Sequence, residues 1–170
     1  RKQNEKEKAE RRMKIVAGLG SIDEYIPYVL AGADELFCGY VPYNWTKKYG
    51  TVLPLNRREV LAYNVHLGSF GELEILSAMI RKYRKPVHIA MNSLYYIPEQ
   101  YEEIADIVKQ CMKIGFDSFI LADPALILYL RQKGISCKIH LSGEAGEMNR
   151  EAIKVFREMG IGRIIFHRKN

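Results

Sequence analysis

The chain has 170 residues, 48% of them hydrophobic, and a formal net charge of +6. That length supports one ordinary core and is short for two, so a single folded domain is expected. The longest purely apolar run is the six residues Ala125 to Leu130, far below the roughly 18 needed to cross a bilayer, and no signal-peptide pattern follows the charged start; the expectation is a soluble, cytoplasmic protein without a membrane partner.

Residues 1 to 14 carry seven Lys or Arg against Glu5, Glu7 and Glu10, which accounts for +4 of the +6. The pattern reads as a charged tail over residues 1–13 followed by a domain over residues 14–170, and it demonstrates no basic nucleic-acid face on that domain. After the tail, short β-rich runs alternate with longer helical patterns. Strands are predicted at Lys14 to Ala17, Glu35 to Cys38, Val87 to Met91, Ser118 to Leu121, Lys138 to Leu141 and Arg163 to Phe166. Such alternation is the signature of a parallel sheet with crossover helices.

The helix boundaries are legible. Ser21 followed by Glu24 reads as a capping box for a helix ended by Gly32. Pro98 and Pro124 suit first helical positions, Gly115 and Gly134 close those helices, and Asn149 lies near the start of a last helix ended by Gly160. The thirty-one residues from Tyr40 to Phe70 break the rhythm. They read either as a cover over the ligand end or as an insertion that packs its own aromatics.

Six βα units make most of a (βα)8 barrel, which takes about 250 residues. The predicted fold is therefore α/β, with parallel βα repeats forming an incomplete TIM-type barrel of about six strands and outer helices. Its edges would be covered by a partner such as a second copy of the chain or by a C-terminal portion beyond Asn170, or the sheet is open with the last helix folded over it.

Parallel sheets bind ligands at the C-terminal ends of their strands. The polar residues expected there are Gly18, Gly20, Tyr40, Asn92, Asp123, His140, Ser142, Glu144, His167 and Arg168. Of these, Asn92, Asp123, Ser142 and Arg168 are candidate substrate contacts. Glu144 and His140 are candidates for proton transfer, His140 because imidazole titrates near neutrality.

A Ser142, His140 and Glu144 triad is less favoured, because residues two apart on a strand stand side by side and no G-x-S-x-G elbow exposes the serine. Metal binding by His140, His167, Asp123 and Glu144 lacks a recognised ligand spacing, and no metal is expected. Gly18, Gly20 and Ser21 do not complete a dinucleotide fingerprint, since Asp23 stands where its third glycine belongs. Arg168 suits either an anionic ligand or an ion pair with Glu144 or Asp123.

Four segments together resemble the N-terminal barrel portion of the U32 peptidase family. They are Gly32-Ala-Asp-Glu-Leu-Phe-Cys-Gly39, Met91-Asn92, Gly115-Phe-Asp-Ser-Phe-Ile-Leu-Ala-Asp123, and Ile139-His-Leu-Ser142 with Asn149, Gly160 and Arg163 to Arg168. The resemblance implies a TIM-barrel-like fold and one of two activities, a collagenase-type peptidase or a factor for oxygen-independent hydroxylation of RNA or of the ubiquinone ring. On the second reading the chain is the barrel portion of a hydroxylation or RNA-modification factor, with a small anionic or aromatic molecule or an RNA as its substrate; a non-catalytic subunit or scaffold is the third class.

The resemblance also implies an iron-sulfur cluster in some members, held by four cysteines beyond the equivalent of Asn170. Cys38, Cys111 and Cys137 do not match that set, so no cofactor is expected within this chain, and a cluster only if the protein continues. Arg168-Lys-Asn170 stands where Arg-Glu-Leu commonly ends the corresponding strand.

Overall fold

In the computed structural model residues 13–50, 54–57, 59–60, 63–146 and 148–166 are described, so the predicted tail over residues 1–13 falls almost wholly outside them, as do His167 and Arg168. The strands are β1 (Val16–Gly18), β2 (Glu35–Gly39), β3 (Glu59–Val60), β4 (Tyr63–Asn64), β5 (Val87–Met91), β6 (Ser118–Leu121), β7 (Lys138–Leu141) and β8 (Arg163–Ile164). The helices are α1 (Tyr25–Leu30), α2 (Tyr43–Tyr49), α3 (Phe70–Tyr83), α4 (Pro98–Lys113), α5 (Pro124–Gln132) and α6 (Arg150–Glu158). Six strands pair in the order β1-β2-β5-β6-β7-β8, every pair parallel, while β3 and β4 form a separate antiparallel hairpin. The large sheet curls into a half-barrel, as the incomplete TIM-type barrel requires.

Side-chain alternation divides each strand between two environments. Leu36 and Cys38, Ile89 and Met91, Phe119 and Leu121, and Ile139 and Leu141 are all fully buried, and they share one hydrophobic cluster with Leu73, Leu76, Ile104, Val108, Leu126 and Leu130 of the helices. The opposite face, which becomes the barrel interior, carries Glu35, His88, Ser118, His140 and Ser142, buried although polar.

The helix signals are mostly those of the sequence. Pro98 and Pro124 occupy first-turn positions, and Asn149 caps α6 by accepting the N–H groups of Glu151 and Ala152. Gly115 and Gly134 leave their helices at φ of 109° and 71°, a region that disfavours any side chain. The predicted Ser21 box is different. The Ser21 side chain makes no capping bond; Glu24 instead accepts the Gly20 N–H at 2.6 Å, and a 3-10 turn over Ile22–Glu24 precedes α1. A complete capping box does form at Ser69 and Glu72, opening α3.

Both sequence readings of the insertion hold in part. Trp45 is fully buried and packs on Tyr49 with ring centroids 4.6 Å apart, so α2 packs these two aromatics while Tyr43 stays exposed. Residues 54–57, however, lie across the strand ends, and Leu67 then returns alongside the exit of β2, donating its N–H to the Gly39 carbonyl at 2.8 Å and accepting from Val41.

One ion pair reports the curvature. Arg163 on β8 binds Glu35 on β2 through two bonds, Nη1 to Oε2 at 2.5 Å and Nη2 to Oε1 at 3.1 Å. Four strand spacings separate β2 from β8 in the sheet order, roughly 19 Å if the sheet were flat. Only a curled sheet brings them together. We expect Arg163→Met to lower the unfolding free energy in urea by about 2 kcal/mol, the usual cost of stranding a buried carboxylate discounted for the half-exposed guanidinium. Adding Glu35→Gln to that variant is expected to recover part of the loss.

Candidate functional site

Because all six strands run the same way, Gly39, Asn92, Asp123, Ser142 and Glu144 share one rim of the half-barrel. Residues 54–57 cross that rim and are fixed at each position. The Ser93 hydroxyl donates to the Pro54 carbonyl, and the Tyr96 hydroxyl donates to the Leu55 carbonyl at 2.9 Å. Asn56, itself buried, donates to the Val65 carbonyl at 3.2 Å and presses on Gly39, where an added Cβ would stand 1.9 Å from Asn56 Nδ2. Arg57 donates its backbone N–H to Asn92 Oδ1 at 3.0 Å. Its guanidinium comes within 3.9 Å of Glu144.

The predicted residues thus fall into three situations. Asn92 and Glu144 are joined through Arg57, which the sequence reading did not single out. Asp123 and Ser142 are buried and occupied locally: Asp123 accepts the Ala125 N–H at 2.9 Å as the cap of α5 and the Tyr101 hydroxyl at 3.2 Å, and Ser142 Oγ accepts the Glu144 N–H at 3.3 Å as the cap of a 3-10 turn over Gly143–Ala145. His140 lies one interior position below Ser142, inside the barrel. Arg168 is outside the described residues.

The layer around His140 is a second polar assembly. Glu35, the most connected member, meets Arg163, Lys14 at 2.6 Å and His88 Nε2 at 3.1 Å. Hydrogen bonding from Arg163 is the largest influence on its carboxyl, outweighing burial; with Lys14 and His88 adding to it, the group is held far below the ordinary carboxylate range. Burial pushes the His88 imidazole down more than Glu35 pulls it up, so this contact is a hydrogen bond from a neutral ring. With Nε2–H turned to the carboxylate, His88 Nδ1 accepts the Ser118 hydroxyl at 2.5 Å. His140 packs edge-on to His88 with centroids 4.5 Å apart, and burial, assisted by the neighbouring His88 ring and the Arg163 guanidinium, lowers its pKa to about 4. Its Nδ1 is buried with no hydrogen-bond partner among the described residues.

This arrangement limits the chemistry. Among the described residues no hydrogen bond joins the side chains of His140, Ser142 and Glu144 to one another, Ser142 Oγ meeting only the Glu144 backbone N–H, so these three do not form a relay. No group of three His, Cys, Asp or Glu stands ready for a metal among the described residues. Cys38 on β2, Cys111 on α4 and Cys137 ahead of β7 are buried and form no disulfide, and burial raises the Cys137 thiol and pushes Cys111 up to about 12. Three cysteines scattered over separate elements, with Cys111 and Cys137 held as thiols, do not fit an iron-sulfur cluster, which needs converging thiolates. Among the described residues the rim instead offers the half-exposed guanidinium of Arg57, the half-exposed carboxylate of Glu144 and the fixed backbone of residues 54–57.

Two measurements probe the two layers. His140 and His88 both have folded pKa values below the ordinary 6.5. The unfolded chain therefore takes up more protons as pH falls, and stability present above about pH 6.5 drains away toward about pH 4, with Glu35 extending the loss below its ordinary value. The His140 shift alone corresponds to about 3 kcal/mol. Urea midpoints are expected to drop between about pH 7 and about pH 5, and His140→Phe to flatten that slope. Gly39→Ala, in turn, is expected to expel Asn56 and lift residues 54–57 off the rim, seen as faster tryptic cleavage after Arg57 with unchanged far-ultraviolet circular dichroism.

Comparison with known proteins is consistent with this architecture. The sequence profile of peptidase family U32 matches residues 20–169. The tRNA hydroxylation protein P of Escherichia coli is 26% identical over 138 residues, 81% of this chain and 27% of its own. The protein of the same name from Haemophilus influenzae is 36% identical over 53 residues, 31% of this chain and 12% of its own. The chain thus spans about a quarter or less of the curated relatives it matches. Among solved structures, the U32 peptidase Mk0906 has the same fold, with a TM-score of 0.59 at 17% identity over 91% of this chain and 58% of that one.

Proposed function

The chain belongs to peptidase family U32, and from that membership we propose that it is the barrel portion of an oxygen-independent hydroxylation factor acting on RNA, which binds a small anionic or aromatic substrate at the C-terminal ends of its strands. The observation that carries the reading is the similarity to tRNA hydroxylation protein P along 138 residues, 81% of this chain. In this proposal Asn92 and Glu144 line the substrate site and Glu144 moves a proton. Its carboxylate is about half exposed at the rim, whereas His140 is buried and kept neutral at physiological pH. Arg168 remains a proposed contact for an anionic group of the substrate. In this proposal the protein works in the cytoplasm, where tRNA is at hand; no described helix is long and apolar enough to span a membrane.

The family also contains proteins called peptidases, and that alternative needs an activated nucleophile. Ser142 is a poor candidate, since its hydroxyl is buried in a cap and no base is hydrogen-bonded to it. A scaffold role is the third reading. Ile15 and Val16 at one sheet edge and Ile165 and Phe166 at the other are exposed apolar residues, which suits cover by a second copy or by further polypeptide.

The test is to express the full-length protein in an E. coli strain lacking tRNA hydroxylation protein P and to analyse its tRNA nucleosides by mass spectrometry. A nucleoside heavier by one oxygen atom is the expected result, lost in Glu144→Ala. Unmodified tRNA, together with casein cleavage by the purified protein that disappears in Ser142→Ala, would replace the proposal with the peptidase reading.

A further inference from the structure

We infer that Arg57 is the oxyanion-recognising residue of the rim and that Glu144 occupies its guanidinium only until a carboxylate or phosphate displaces it. This inference rests on the rim being the substrate site. It begins from how little of Arg57 is committed to the fold. The backbone is locked, since four successive residues of its loop are tied to Ser93, Tyr96, Gly39 and Asn92. The side chain is not. Its contact with Glu144 is 3.9 Å, well outside the 2.7 to 2.9 Å of a charge-assisted hydrogen bond. Both side chains are also nearly half exposed, at 41% and 47%, where such a pair contributes little.

A loosely paired arginine on a rigid backbone is pre-organised for an anion. The planar guanidinium offers two parallel N–H groups to a carboxylate or phosphate, which is a better fit than one distant oxygen of Glu144. Displacing Glu144 leaves its carboxylate tethered beside the ligand, because Ser142 Oγ holds its backbone N–H. Asn92 and Ser142 then act as positioning residues: Asn92 fixes Arg57 and Ser142 fixes Glu144. The same displacement turns a resting ion pair into a free base next to bound substrate.

The inference makes the two partners respond in opposite directions. Isothermal titration of the full-length protein with inorganic phosphate and with benzoate is expected to show binding weakened at least about tenfold in Arg57→Ala, partly retained in Arg57→Lys, and tightened about threefold in Glu144→Gln, because the competing carboxylate is gone. A pair that is only structural would weaken binding in both Arg57→Ala and Glu144→Gln; that result, unchanged affinity in Arg57→Ala, or no binding of either anion to the wild type would overturn it. Filter binding of total tRNA by the same variants separates the two sources of oxyanion. A parallel loss in Arg57→Ala identifies an RNA phosphate, and unchanged tRNA affinity identifies a free small anion. Anion binding that depends on Arg57 without nucleoside hydroxylation in cells would sink the hydroxylation reading alone, whereas hydroxylation that survives Arg57→Ala with unchanged anion affinity would sink this one alone.

Discussion

A carboxylate inside a barrel is the constraint on which this structure depends. Glu35 opens β2 facing the interior and is 4% exposed, and a carboxylate so placed is tolerated only when cations and hydrogen-bond donors surround it. They come from distant parts of the chain: Lys14 ahead of β1, His88 on β5 and Arg163 on β8. Meeting Glu35 therefore sets the curvature of the sheet, and the curvature sets the distance between strand ends. The rim residues inherit their spacing from a charge buried beneath them.

That arrangement separates the interior into two layers with different chemistry. Below, the charges of Glu35 and Arg163 compensate one another, His88 is neutral with both ring nitrogens engaged, and His140 is neutral with one nitrogen unpaired. Water is largely excluded, so proton uptake there costs stability and the layer resists titration near neutrality. Above, Arg57 and Glu144 are half exposed and weakly paired, so their partners can change at little cost. Structural electrostatics thus sits below and exchangeable electrostatics above, and only the upper layer suits a ligand that must come and go.

Much of this was legible in the residues, with failures that have physical causes. The six strands and their helices follow from local signals, because Pro98, Pro124, Gly115 and Gly134 act on the backbone beside them. The family resemblance drawn from the four segments agrees with the profile match. Alternation identified which face His140 occupies but not its height, since a period of two repeats up the strand without marking where the rim begins. Asp123 and Ser142 read as ligand contacts, yet each stands just before a helical turn, and Asp123 directly precedes Pro124; their carboxylate and hydroxyl are taken by local N–H groups. Arg57 left no local signal at all. It reaches the rim because Asn56 seats against the bare backbone of Gly39, a contact between residues seventeen apart in sequence with no periodic pattern between them.

The same buried carboxylate bears on how the half-barrel stays open. Lys14 precedes β1, at one edge of the sheet, and Arg163 lies on β8, at the other; both bind the same Glu35 side chain. The two edges are therefore tied to a common point rather than free to splay or collapse. Splaying would leave Glu35 without its strongest partner. Exposed Ile15, Val16, Ile165 and Phe166 lie at those two edges, where strand backbone is left for another segment to pair.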